Sequence, residues 1–168
     1  MTAALLFSGA FLALVLITQF GRHRVIWLRI LLSFGLLAYF GPLYLGKVDF
    51  SGGTLWLAVW GTVIGAAFGA GLLATMRVEQ GTDGRLYTVA GWPYLLVWLV
   101  ALLGRVAFVI GAENSTGFRR SLGQFMAEHA IADPNAWAAF FVLMAFAMLI
   151  VRTGGVLSRG FVVRRRAA

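Results

Sequence analysis

The sequence predicts an all-α integral membrane protein: a five-span transmembrane helical bundle with a small cytoplasmic β-hairpin and an outer amphipathic helix. Three observations carry this. Of 168 residues, 61% are hydrophobic and 12% charged, against roughly half and a quarter in an average soluble domain. Five long apolar runs divide the chain, each near the ~20 residues that cross a bilayer. The basic residues cluster at the ends of these runs, where loops meet anionic headgroups. The length suits one domain, and the spans leave little chain for a soluble catalytic unit.

The first run, residues 3–20, holds no charge and as a helix would rise about 27 Å, close to the ~30 Å hydrocarbon core. Its basic cluster, Arg22, His23 and Arg24, follows the run, so it reads as a span and not a secretory signal. The second run, 25–45, carries Arg29 one turn inside its start, where the long stem can snorkel to the headgroups. Tyr39, Pro42 and Tyr44 mark its other end as interfacial. A short connector with Lys47 and Asp49 leads to the third run, 55–76, making spans two and three an antiparallel pair.

Asp83 and Gly84 form a two-residue turn signal between Arg77-Val78-Glu79 and Arg85-Leu86-Tyr87-Thr88-Val89, predicting a hairpin over 77–90 outside the bilayer. The fourth run, 91–111, opens on Trp92, Pro93 and Tyr94, a proline in the first helical turn with interfacial aromatics. Phe118, Leu122, Phe125 and His129 recur at helical spacing with Arg119, Arg120, Gln124 and Glu128 elsewhere around the turn, predicting an amphipathic helix over about 117–130 on the membrane surface. Asp133 as N-cap and Pro134 at the first helical position start the fifth run, 134–152. A basic tail, 153–168, follows.

Five spans put the termini on opposite sides. With the N-terminus outside, the cytoplasmic segments hold Arg22, Arg24, Arg29, Arg77, Arg85, Arg152, Arg159, Arg164, Arg165 and Arg166, and the outer segments only Lys47, Arg119 and Arg120. The positive-inside rule selects this orientation. Lys47 is the sole lysine among fourteen basic residues, a bias of GC-rich genomes, so the expected location is a bacterial inner membrane. Because the +8 charge flanks apolar runs instead of forming one soluble face, the partner it implies is the lipid bilayer and not nucleic acid.

Cysteine is absent, which removes thiolate nucleophiles, disulfide exchange and Cys-held metals or clusters. His23 and His129 fall on opposite sides of the predicted bilayer, so no metal site and no cofactor is expected. Asp49, Glu79, Asp83, Glu113, Glu128 and Asp133 all lie outside the predicted spans, and no nucleophile elbow, P-loop or dinucleotide fingerprint is present. No catalytic residue is assigned.

Two features remain. Gly61, Gly65 and Gly69 repeat every four residues in the third span, the spacing that lets a second helix backbone approach closely. That helix belongs either to the same chain or to a second copy. Arg105 is the one charge far from an interface, roughly 18 Å from the cytoplasmic end of its helix. Burying it costs about 2.5–3.5 kcal/mol on insertion scales, so it needs a partner: backbone carbonyls, Thr18, Gln19, Tyr39, a lipid headgroup or an anionic ligand.

From Leu72 through Arg105 the sequence resembles the CcdC-like family of small bacterial membrane proteins, linked by name to cytochrome c biogenesis. In that family a span ends in a basic residue, an Asp-Gly hairpin with a Tyr follows, and the next helix carries an Arg. Here Arg77, Asp83, Gly84, Tyr87 and Arg105 match those positions, and Phe141 to Arg152 is similar to the family's apolar helix ending in Arg. The resemblance implies a helical inner-membrane protein of poorly defined activity. Lacking cysteine, this chain could join such a pathway only as a partner or scaffold. The expected function is therefore a non-enzymatic accessory to a membrane partner complex, bound through the glycine face together with the hairpin. The alternative is a small oligomeric transporter or channel with Arg105 in an anion path.

Overall fold

The computed structural model describes residues 21–24, 31, 34, 35, 39, 42, 45, 46, 48–81, 86–133 and 135–167. The expected first span, 3–20, lies outside them, as does most of the second. The chain runs β1 (Gly21–Arg24), α1 (Gly53–Thr75), β2 (Met76–Gln80), β3 (Leu86–Ala90), α2 (Trp92–Asn114), α3 (Thr116–Glu128) and α4 (Ala136–Ala167). Among the described residues three helices are long and apolar enough to cross a membrane: Gly53–Thr75, Trp92–Asn114 and Ala136–Val162.

Local signals set the helix ends. Gly52, at φ 53°, turns the chain into α1 with a left-handed conformation that glycine tolerates. At the other end the Thr75 hydroxyl donates back to the Gly71 and Leu72 carbonyls, at 2.9 and 3.1 Å, before the backbone becomes extended at Met76. Pro93 sits in the first turn of α2, where its missing N–H is of no consequence. The Ser115 hydroxyl caps α3 by accepting from the Phe118 N–H at 3.2 Å.

α1 and α4 form the central seam and run parallel, since Gly61, Gly65 and Gly69 face Phe140, Met144 and Met148 in ascending order. α2 runs back alongside this pair, packing on α1 and meeting α4 through side-chain rings. Its contact with α1 includes Gly71 against Val97, and Tyr94 and Leu95 are its buried residues. One core cluster, Leu72, Met76, Ala90, Tyr94 and Val156, joins the helices to the sheet. A second, Leu57, Ile131 and Ala136, closes the opposite end beneath α3, with Met126 packed on it.

The hairpin strands pair antiparallel, and β1 adds to β3 to give a three-stranded sheet of order β1-β3-β2. The Gly21–Arg24 stretch, for which the basic cluster Arg22, His23 and Arg24 gave no strand expectation, is thus an edge strand. The β2–β3 register, Gln80 opposite Leu86, centres the pairing on Asp83. An odd number of residues therefore joins the strands where a two-residue Asp83-Gly84 turn was expected; Asp83 and Gly84 lie outside the described residues.

Two further boundaries differ from expectation. The basic tail 153–168 is not a separate segment: α4 continues through it to Ala167, the helix cost of Gly154, Gly155 and Gly160 being offset by tertiary contacts that include buried Val156 and the Arg159 bond to Leu73. α2, expected to end at residue 111, extends to Asn114, which brings Glu113 into its last turn.

Candidate functional site

The glycines of α1 are consumed within the chain. A Cβ on Gly61 would lie 2.5 Å from the Phe140 carbonyl oxygen and one on Gly69 2.7 Å from that of Met148; on Gly65 it would overlap the Met144 carbonyl. Three successive turns of α1 therefore touch α4 backbone to backbone, the close approach that replaces a hydrophobic drive in lipid. Gly53 extends the contact, a Cβ there overlapping the His129 carbonyl. Leu57 and Ala58 are buried on the same side of the helix.

Arg105 lies on the exposed side of α2, about 20 Å along the helix from Trp92. Its guanidinium carbon stands 5.8 Å from the centroid of the Phe141 ring, a cation–π distance. Around this pair the C-terminal half of α2 meets α4 through rings: Phe108 lies 5.1 Å from Phe141, 4.8 Å from Trp137 and 5.6 Å from Phe118 of α3. The Trp137 indole N–H is buried there without a hydrogen-bond acceptor among the described residues. Tyr39 is exposed, and Thr18 and Gln19 lie outside the described residues.

The sequence did not single out Arg159. From the far part of α4 its Nη1 donates to the Leu73 and Met76 carbonyls at 2.6 and 3.0 Å. These are carbonyls left open at the end of α1, where a cation also complements the helix dipole. Nearby, Arg152 stacks over the buried Tyr94 ring at 5.5 Å. Beside Arg159 a cleft of about 480 Å³ runs between β2 and α4, bordered by Arg77, Glu79, Ser158 and the apolar Met76, Val78 and Val162.

At the opposite end, Asp133 accepts from the backbone N–H of Asn135 at 2.7 Å and of Asp49 at 3.0 Å. It ties the residue-49 loop to the turn that leads into α4, which begins at Ala136, two residues later than expected from Asp133 as N-cap; Pro134 lies outside the described residues. The Asn135 and Asp49 N–H groups, in that order, hold the Asp133 carboxyl below the usual carboxylate range. His129 stacks on Phe125 at 4.2 Å and its Nδ1 lies 2.9 Å from the Phe125 carbonyl. His23, in register with Thr88, belongs to the sheet end, so the two histidines occupy opposite ends of α1. Among the described residues no group of three His, Asp or Glu side chains is placed to hold a metal ion.

No protein-family model, curated protein or solved structure matches the chain.

Proposed function

We propose that the chain is a five-span bacterial inner-membrane protein, N-terminus outside, that serves as a non-enzymatic accessory or scaffold subunit, its partner docking on the exposed face of α2. The observation that carries this is Arg105: a cation in the middle of an apolar helix, on the exposed side, with an aromatic ring as its neighbour. Facing lipid, it incurs about 2.5–3.5 kcal/mol on insertion scales. No carboxylate of this chain is suited to neutralise it. Residues 1–48 contain neither Asp nor Glu, and of the six acids only Glu113 falls within a spanning helix, about 12 Å further along α2. A partner helix with an intramembrane carboxylate supplies what is missing. The glycine face, engaged by α4, is not the docking surface under this reading. The CcdC-like resemblance, resting on Arg77, Asp83, Gly84, Tyr87 and Arg105, is compatible with such a role.

Co-purification from native membranes in mild detergent tests the proposal. Wild type and Arg105→Lys should retain a membrane partner, and Arg105→Leu should lose it while melting at an unchanged or higher temperature, because an unpaired charge has been removed from lipid. If the Leu variant keeps the partner, or if it fails to fold, Arg105 is structural and the docking proposal is wrong.

A further inference from the structure

We infer that the cleft between β2 and α4 is a binding site for the phosphate of an anionic phospholipid. This needs the bundle to lie in a membrane, and it does not depend on what α2 binds. The cleft's position is the first argument. About 35 Å of helix separates Ala136 from Arg159, slightly more than the ~30 Å hydrocarbon core. When Ala136 stands at one boundary, Arg159 therefore stands among the headgroups of the other.

The chemistry of the walls is the second argument. Met76, Val78 and Val162 offer an apolar side on which acyl chain can lie, while Arg77 and Arg159 provide cations. Arg159 is held in place because both hydrogens of its Nη1 are engaged, by the Leu73 carbonyl of α1 and the Met76 carbonyl that follows it. A guanidinium has five N–H donors in a fixed fork, so Nε and Nη2 remain for a phosphate, the group that this fork matches. Arg77 is exposed and supplies the second cation. The Ser158 hydroxyl donates to the Gly155 carbonyl, so it contributes an oxygen rather than a donor. Glu79, on the rim, opposes an anion and tunes the site downward. Basic pockets between spanning helices at the cytoplasmic face are where anionic headgroups bind.

The full-length protein is placed in nanodiscs of phosphatidylcholine with or without phosphatidylglycerol, and retained lipid is counted by native mass spectrometry. Folded protein recovered in the bilayer checks the membrane reading separately. Wild type should retain phosphatidylglycerol in preference to phosphatidylcholine. Arg77→Gln should weaken retention about fivefold, and Glu79→Gln should strengthen it. Arg165→Gln, which removes the same charge from an exposed position further along α4, should leave it unchanged. Arg159 is left intact throughout because it also caps α1. Equal losses in the Arg77 and Arg165 variants mean diffuse surface charge and overturn the site, as does a wild type indifferent to headgroup. Displacement of the lipid by an equal concentration of inorganic phosphate assigns the cleft to free phosphate and overturns the lipid.

Discussion

Single side chains at the two ends of the bundle do work that the spanning helices cannot do for themselves. Arg159 satisfies α1 carbonyls from a helix 86 residues away, and Asp133 gathers the N–H groups of Asn135 and Asp49. The Asp133 interaction is pH-dependent. Its carboxyl is shifted below the ordinary value by the N–H groups that favour the ionised form. The stabilisation is therefore fully present above about pH 4, the unfolded value, and is lost as pH falls through the lowered folded value. Thermal unfolding in detergent between about pH 2 and 7 should show the melting temperature of wild type falling toward that of Asp133→Asn as the medium is acidified. A constant gap between the two across the range would mean that the carboxylate charge contributes nothing to this end of the bundle.

At the scale of elements the decisive contact is the α1–α4 seam, and its glycines differ sharply from others in the chain. At Gly65 the Cβ itself overlaps the Met144 carbonyl, whereas a Cβ at Gly123 of α3 meets nothing within 4 Å. Even Gly65→Ala should therefore destabilise by about 1–3 kcal/mol, the range for overpacking, because a backbone atom cannot rotate away. Gly123→Ala should stabilise by up to about 1 kcal/mol through helix propensity. Melting curves of the two variants in detergent decide the matter, and equal effects would refute the seam as described. The four-residue spacing of Gly61, Gly65 and Gly69 was legible in the sequence as a place where a backbone comes close. Which backbone was not, because α4 meets the glycines with carbonyls, and Phe140, Met144 and Met148 leave no small-residue signature. α1 and α2 were legible from uninterrupted apolar runs, and the hairpin from residues that flank Asp83 and Gly84. β1 was hidden, since Gly-Arg-His-Arg has little strand propensity and pairs with β3 only through tertiary placement. Arg159 read as one more charge in a basic tail, because a cap supplied from so far along the chain has no local pattern.

For the whole molecule, the described ends constrain the path of the chain. β1 lies in the sheet at the C-terminal end of α1, and Asp49 is bonded to Asp133 at the N-terminal end. Between residues 24 and 49 the chain must therefore pass from one end of the bundle to the other. As a helix those residues would cover about 37 Å, enough for the hydrocarbon core. The proposed span over 25–45 has the length this separation needs, and under that proposal the sheet and the Ser51 loop face opposite compartments. The chain has no cysteine, so single introduced thiols report on topology without background. Ser51→Cys and Glu79→Cys are both at exposed positions. In intact bacterial spheroplasts a membrane-impermeant maleimide should label Ser51→Cys at once and Glu79→Cys only after permeabilisation, as the surplus of arginine at the sheet end dictates. The reverse pattern would invert the orientation and leave the bundle intact. Labelling of both thiols from outside would remove the membrane from between the sheet and the loop, and with it the spanning role of α1.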